Sequence, residues 1–226
     1  MNNIKIREIE TERLILKIPT MSEQKQLWNI VKTEEVNKYY FPTPDRIFNK
    51  YNLSKDRIDD LIEARKIFQE QLNDWERQQS FYEKKIVDIN NGENSQMFTW
   101  SIFLKDGTII GQMTVQPSEQ YPNNPGIRDV GWFIDPNYHK KGYASEAAKA
   151  ILDFMFNEVE IEKILTSAAI INPGSWRIME KLGFTYSGNK SSTYLDENNN
   201  CVDCCYYNIT KKEYIDFHNN VKTKQK

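Results

Sequence analysis

Cysteine and long apolar runs are scarce in this chain of 226 residues. Its three cysteines all lie within residues 201–205, so the sequence offers no disulfide framework and suits a reducing compartment. No stretch approaches the ~20 apolar residues of a membrane-spanning helix. The N-terminal residues also lack the apolar segment of a signal peptide. We therefore expect a cytoplasmic protein with no membrane partner.

An excess of charge of one sign is missing as well. The chain carries 30 Lys and Arg against 32 Asp and Glu, a formal net charge of −2. A balance this close to neutral provides no electrostatic footprint for general binding to nucleic acid. We therefore expect no nucleic-acid partner.

Metal-ligand clusters are equally sparse. The segment Cys201-Val-Asp-Cys-Cys205 contains one CxxC pair but no second pair of ligands. The two histidines of the chain, His139 and His218, lie elsewhere in the sequence. A four-ligand zinc site within this segment is therefore excluded, and we predict no metal. Small residues around a final hairpin turn explain the cysteines better.

Charged residues are present in quantity, but they are unevenly placed. Charged residues make up 20 of the 51 residues in 45–95, or about 39%, against 27% of the whole chain. Apolar residues recur there at helical spacing: Ile58, Leu61, Ile62, Phe68, Leu72 and Trp75. The pattern predicts a solvated helix with one narrow apolar stripe. Two interpretations stay open, a surface helix packed by one face and an inserted lid or partner-binding helix.

Outside that segment the hydrophobic period alternates between two and 3.6 residues. Strands are predicted at 13–18, 98–104, 108–115, 130–134, 164–171, 184–190 and 204–210, and helices at 22–36, 145–159 and 174–182. Ser22 is the expected N-cap of the first helix, and Asp106-Gly107 the expected tight hairpin turn. Residues 211–226 are expected to be a frayed terminus. Strand–helix alternation of this kind predicts one α/β (α+β) domain over residues 1–226.

The segment Tyr138-His-Lys-Lys-Gly-Tyr-Ala-Ser-Glu146 lies directly between a predicted strand and the strongest predicted helix. Gly142 allows a tight turn, and Ala144 leaves the start of the helix uncrowded. The free N–H groups of the first helical turn then form a site for a phosphate or a pyrophosphate. Lys140 and Lys141 add positive charge at the same place. Without further context, a solvated basic turn is the alternative interpretation.

Five short segments supply that context through a family resemblance. Asp129-Val-Gly-Trp-Phe-Ile-Asp-Pro136 followed by His139-Lys-Lys-Gly-Tyr-Ala144 resembles the acetyl-CoA-binding signature of the GCN5-related N-acetyltransferase (GNAT) superfamily. Asn172-Pro-Gly-Ser175 and Glu180-Lys-Leu-Gly-Phe184 are similar to its second signature. Thr11-Glu-Arg-Leu-Ile-Leu16 resembles the start of the ribosomal-protein N-terminal acetyltransferase branch.

The resemblance covers roughly residues 11–45 and 97–210, and it implies both a fold and a reaction. The implied fold is α/β (α+β), with a central mixed and strongly twisted sheet flanked by helices. The charged residues at about 45–95 are then a helical insertion. The implied reaction uses acetyl-CoA as the acetyl donor.

The resemblance also implies which residues bind that donor. Backbone groups near Phe133 and Ile134 are expected to hydrogen-bond the pantetheine arm and the thioester carbonyl, and Asn172 to contact the arm. The pyrophosphate is expected on the loop amides of Lys140, Lys141, Gly142, Tyr143 and Ala144. His139 stands where the family usually has Arg or Gln, and an imidazole donates fewer hydrogen bonds than a guanidinium. We therefore expect this loop to rely on its amides and its two lysines.

Acid and base candidates come from the same comparison. Asp129 stands where related enzymes commonly carry a carboxylate that faces the acceptor, and it could remove the amine proton through a water. A solvent-facing Asp at a strand start is the alternative, and Glu119 is a weaker candidate base. Met179 replaces the tyrosine that many relatives use as the acid. Ser175 fits the spacing of the acid in the N-terminal acetyltransferase branch, although it could instead bond a backbone group in the first helical turn.

The acceptor is expected to be a primary amine, either a protein N-terminus or a small molecule such as a polyamine. By resemblance Tyr39, Tyr40 and Phe41 border its site, although core packing explains these aromatics nearly as well. No nucleophilic residue stands out near the two signatures, so direct transfer is predicted rather than a covalent intermediate. A monomer or a homodimer is expected. An inactive acyl-CoA-binding sensor or scaffold is the alternative function, and an interaction module built on 45–95 is a third.

Overall fold

A computed structural model of the chain describes residues 6–40, 45–76, 79, 80, 82–84, 86 and 97–224. The helices are α1 (Met21–Val31), α2 (Glu34–Tyr40), α3 (Asp45–Tyr51), α4 (Ile58–Leu72), α5 (Tyr143–Asn157), α6 (Pro173–Lys181) and α7 (Lys211–Lys224), with a 3-10 turn at Pro136–Tyr138. The strands are β1 (Ile9–Glu10), β2 (Leu14–Lys17), β3 (Phe98–Leu104), β4 (Ile109–Pro117), β5 (Ile127–Ile134), β6 (Lys163–Ala169), β7 (Thr185–Leu195) and β8 (Cys201–Thr210).

In the described part of the chain, eight strands form one sheet in the order β1-β2-β3-β4-β5-β6-β8-β7. Neighbouring strands run antiparallel except β5 and β6, which are parallel and are connected through α5. A parallel pair needs such a crossover, whereas antiparallel neighbours can be joined by short turns. The sheet is therefore mixed, as expected from the resemblance.

The predicted hairpin between β3 and β4 is confirmed at Asp106-Gly107. Gly107 has φ +88°, a conformation that glycine adopts without steric cost. The Asp106 carboxylate accepts a hydrogen bond from Thr108 N–H at 2.9 Å, and Leu104 N–H donates to Thr108 C=O at 2.8 Å. The turn therefore closes in the register that aligns β3 with β4.

The core lies between the sheet and α5. The apolar face predicted for this helix is buried, with Ala147, Ile151 and Met155 all at 0% exposure. Burying each large apolar side chain contributes roughly 1.5–3 kcal/mol. The same cluster includes Trp100 and Leu16 from the sheet. It therefore fixes the position of α5, and with it the loop that precedes the helix.

The prediction of one helix at 22–36 is wrong, because two helices occupy this region. Thr20, not Ser22, is the N-cap of α1, in a capping box with Glu23. The helix ends at Val31, where the Thr33 hydroxyl donates to Ile30 C=O at 2.7 Å. Such side-chain bonds to the backbone compete with helix continuation. After the break, α2 starts at Glu34.

The C-terminal expectations were also wrong. Residues 211–224 form α7 rather than a frayed tail, and Tyr214 anchors the helix at 3% exposure while its hydroxyl donates to Asp153 at 2.8 Å. The cysteines do not surround a turn, since they lie in β8 and Cys204 and Cys205 are buried there. The turn between β7 and β8 instead lies at Asp196, whose carboxylate accepts two backbone N–H bonds.

The described part of residues 45–95 packs by one face. On α4 the buried side chains include Leu61, Ala64 and Phe68, whereas Ile58 is 41% exposed. This face forms a second apolar cluster with Trp28 of α1 and side chains of α3. No helix among the described residues is both long and apolar enough to cross a membrane.

Candidate active site

The central feature is a gap where β5 and β6 separate. β5 pairs with β4 along its length, from Arg128 opposite Pro117 to Ile134 opposite Gly111. Its pairing with β6 covers only Ile127 to Asp129. At the branch point the Thr166 hydroxyl donates to Val130 C=O at 3.0 Å. Beyond this bond one edge of β5 faces open space instead of a partner strand.

A cleft of about 1220 Å³ occupies the gap. Its lining includes residues 129–134 of β5 and 165–168 of β6. The loop after β5 borders it on one side, and residues of α2, α6, β7 and β8 complete the walls. A cleft of this size suits a large extended ligand.

The predicted phosphate loop has the geometry that the sequence suggested. Gly142 is the N-cap of α5, in the left-handed conformation with φ +84°, and no side chain caps the helix. The first intrahelical bond of this turn runs from Glu146 N–H to Gly142 C=O at 3.1 Å. The N–H groups of Tyr143, Ala144 and Ser145 therefore have no acceptor within the helix. All three residues border the cleft, so these amides form a cradle for an anion there.

The charged side chains of this loop are placed differently from one another. Lys140 has φ +60° and lines the cleft. Lys141 turns away, because its ammonium donates to Asn137 C=O at 3.0 Å and lies 4.9 Å from the centre of the Tyr138 ring. His139 lines the cleft, and its Nε2–H donates to Ile134 C=O at 2.8 Å. The imidazole thus joins the end of β5 to the loop.

Asp129 lies at the branch point, half-buried in the lining of the cleft. Burial raises the pKa of its carboxyl above the ordinary range, although a hydrogen bond from Glu119 N–H at 3.1 Å opposes part of this rise. The negative charge of Glu119, also in the lining, raises the pKa further. The carboxyl is therefore partly desolvated, unlike that of a fully solvated Asp.

The second signature brings Asn172 and Ser175 to the same cleft. Asn172 is the N-cap of α6, and Ser175 N–H donates to its C=O at 3.1 Å. Among the described residues the Ser175 hydroxyl makes no hydrogen bond, and the residue lines the cleft. Met179 is fully buried in the core and does not line the cleft.

Of the three aromatic residues expected near the acceptor, Tyr39 lines the cleft. The side chain of Tyr40 and the whole of Phe41 lie outside the described residues. Sequence reasoning missed Tyr206 of β8, which lines the cleft with the ammonium of Lys190 4.7 Å from its ring centre. Burial raises the pKa of Tyr206, and the negative charges of nearby acids add to the rise, so its phenol stays protonated.

Sequence reasoning also missed Arg13, which lies behind the phosphate loop and bonds both the loop and Glu146 of α5. The Thr11-Glu-Arg segment stands out in the sequence, but the sequence does not reveal that it contacts α5. No group of three or more His, Cys, Asp or Glu side chains that could hold a metal ion occurs in the described ranges.

Comparison with known proteins agrees with this geometry. Residues 13–185 match the Acetyltransferase (GNAT) domain family. The N-acetyltransferase YnaD of Bacillus subtilis (strain 168), which is itself uncharacterized, is 33% identical over 132 residues, 58% of this chain and 74% of that protein.

Two solved structures share the fold. A ribosomal-protein-S5-alanine acetyltransferase from Vibrio fischeri superposes with a TM-score of 0.62 at 16% identity, covering 92% of this chain and 99% of that one. Mutant forms of the spermidine/spermine N-acetyltransferase SpeG from Vibrio cholerae give a TM-score of 0.63 at 15% identity, with the same coverages. With most of its length matched by the family, this chain belongs to the GNAT acetyltransferases and is an acetyl-CoA-dependent acetyltransferase.

Proposed function

We propose that this enzyme transfers the acetyl group of acetyl-CoA directly to a primary amine that enters the cleft beside Asp129. The observation that supports this most strongly is the branching of β5 from β6. It creates one continuous cleft that the free amides of the phosphate loop and the Asp129 carboxylate both border.

The residues present fit the donor. The pyrophosphate would occupy the amides between Lys140 and Ala144, where the positive end of the helix dipole also points. The exposed edge of β5 near Phe133 and Ile134, together with Asn172, would hold the pantetheine arm. His139 would act here mainly by tying the loop to Ile134.

Asp129 would serve as the base. An amine must be neutral to attack, and most amines are protonated at neutral pH. A carboxylate whose pKa is raised by burial is a better proton acceptor than a solvated one. As the new N–C bond forms and the C–S bond breaks, the amine proton passes to Asp129, directly or through a water.

Ser175 would serve as the acid. The sulfur leaves with the bonding electron pair, and a proton from the Ser175 hydroxyl, replaced from solvent, converts it to the thiol. The products are an amide and free CoA, so no covalent enzyme intermediate is needed. Because a free thiol has a pKa of about 8.5, this proton is helpful but not indispensable.

The acceptor we propose is a protein N-terminus or a small cationic amine. Asp129 and Glu119 both line the cleft, and the negative charge of Glu119 raises the pKa of Asp129. Two carboxylates at one cleft attract an ammonium group before it loses its proton. The names of the two fold relatives, a ribosomal-protein acetyltransferase and a spermidine/spermine acetyltransferase, include both kinds of acceptor. We also propose that residues 1–226 form one domain, with a helical insertion at about 45–95.

The experiment is acetyl-CoA turnover, followed as release of the CoA thiol, with spermidine, free amino acids and peptides with free N-termini. We expect turnover with at least one amine, an acetylated product by mass spectrometry, and strong loss in Asp129→Asn. Asp216→Asn, on the exposed face of α7, is the matched control. Calorimetric binding of acetyl-CoA without turnover on any amine would show a binding protein instead of the proposed enzyme.

A further inference from the structure

Arg13 makes an unusually dense set of contacts with one acidic residue of α5. Its backbone N–H donates to Glu146 Oε1 at 2.9 Å, while Nε and Nη2 both lie 2.6 Å from Oε2. The Thr11 hydroxyl adds a further bond to Oε1 at 2.6 Å. Four donors from Thr11 and Arg13, which precede β2, therefore surround one carboxylate.

The same guanidinium contacts the phosphate loop from behind. Its Nη1 donates to Lys141 C=O at 2.9 Å, and its carbon lies 4.7 Å from the centre of the Tyr143 ring. A Cβ at Gly142 would lie 3.3 Å from Nη2. One side chain thus contacts three consecutive residues of the loop, yet it does not line the cleft.

The negative charge of Glu146 lies close to the proposed anion site, and Arg13 neutralises it. It lies in the first turn of α5, where its negative charge stabilises the helix but would repel an anion at the same N-terminus. Burial alone would raise the pKa of Glu146, but the bonds from Thr11 and Arg13 lower it, so the carboxylate is charged at neutral pH. An anion at the loop therefore needs a positive charge between itself and Glu146, or directly beside it.

We propose that Arg13 is a positioning residue for the acetyl donor, which holds the loop in shape and neutralises Glu146 so that the pyrophosphate can bind. The inference rests on the proposed role of the loop as the pyrophosphate site. It assigns a function to the Thr11-Glu-Arg segment, whose residues do not line the cleft.

The two parts of this role give different results in variants. Arg13→Met removes both the support and the positive charge, so CoA affinity should fall at least about tenfold, or ~1.4 kcal/mol. Glu146→Gln in the Arg13→Met background removes the unmatched negative charge and should recover a large part of the affinity. If Arg13 were only a structural support, the second substitution would recover nothing, because it deletes the remaining bonds of Glu146.

The test uses isothermal titration calorimetry with two probes, CoA and pantetheine, which lacks the pyrophosphate. We expect Arg13→Met to raise the Kd for CoA and to leave that for pantetheine unchanged within about twofold. Arg13→Lys, which keeps the charge but lacks the planar fork, should give an intermediate Kd and remains informative if Arg13→Met folds poorly.

The outcomes separate this inference from the function on which it rests. If the unaltered protein does not bind CoA, the proposed function fails first. If it binds CoA but Arg13→Met binds equally well, the role of Arg13 is refuted. If Arg13→Met weakens binding but Glu146→Gln gives no recovery, the neutralisation of Glu146 is refuted. The proposed function stands in both cases.

Discussion

Replacing Gly111 with alanine should destabilise the protein because of one close approach between strands. A Cβ at Gly111 of β4 would lie 2.3 Å from Phe133 C=O of β5 and 2.9 Å from Ile134 Cδ1. The first of these atoms belongs to the backbone, so it cannot rotate away. Relief requires β4 and β5 to move apart by roughly 1 Å, since carbon and oxygen pack at more than 3 Å.

The size of the effect follows from three contributions. Overpacking a tight site costs about 1–3 kcal/mol, and weakening one strand hydrogen bond costs about 1 kcal/mol more. The lower backbone entropy of unfolded alanine returns about 0.5–1 kcal/mol. We therefore expect the free energy of unfolding to fall by about 1–3.5 kcal/mol, equivalent to about 2–14 °C in Tm for a chain of this length.

Urea denaturation followed by far-UV circular dichroism measures this change, with Gly131→Ala as the control. Gly131 lies on the adjacent strand β5, and a Cβ there meets nothing within 4 Å. The control should be as stable as the unaltered protein or more stable by up to about 1 kcal/mol, because only the entropy contribution of the unfolded state remains. If Gly111→Ala were equally harmless, the close approach would not be a constraint on the fold. Because Phe133 and Ile134 are proposed donor contacts, Gly111→Ala should also raise KM for acetyl-CoA.

Three further predictions concern the proposed chemistry. Gly142→Asp puts a carboxylate among the loop amides at a residue with φ +84°, so CoA affinity should fall at least about a hundredfold by calorimetry, and unchanged affinity would contradict the phosphate-loop assignment. Ser175→Ala should lower kcat about tenfold or more with little change in the Kd for acetyl-CoA, and an unaltered kcat would leave Ser175 structural. Asp129→Asn should lower kcat about a hundredfold or more. The folded-state pKa of Asp129 is raised, so ionisation of its carboxyl lowers the free energy of unfolding as pH rises through that pKa. Asp129→Asn should therefore unfold at a higher urea concentration than the unaltered protein at pH 7. A lower urea midpoint would contradict this.

Local signals in the sequence were sufficient for much of the fold. The Asp106-Gly107 turn, the apolar face of α5 and the left-handed Gly142 each depend on neighbours within one turn or one hairpin. Such features are determined by short-range sterics and by burial of one face. For the same reason the sequence predicted that the phosphate loop leads directly into α5, without any knowledge of how the strands pair.

Other features depend on contacts between distant segments. Arg13 and Glu146 are 133 residues apart, and they pair because the fold brings the segment before β2 against the first turn of α5. Tyr206 reaches the cleft because β8 pairs directly with β6 and β7 takes the edge. An alternating pattern tells which residues of a strand share a face, but not which strand lies beside it. The early end of α1 was missed because the Thr33 side chain, not a proline or glycine, ends the helix.

The short pairing between β5 and β6 has a consequence for the lifetime of the protein. In the described part of the chain, β1 to β5 form one side of the sheet, and β6, β8 and β7 form the other. The two sides pair only between β5 and β6, at three residues of β5. A ligand that fills the gap contacts both sides, so its binding free energy adds to the cohesion of the sheet. At a hundredfold excess over Kd that contribution is about 2.7 kcal/mol. The proposed binding of acetyl-CoA in this gap would therefore raise the free energy of unfolding and slow proteolysis of the chain.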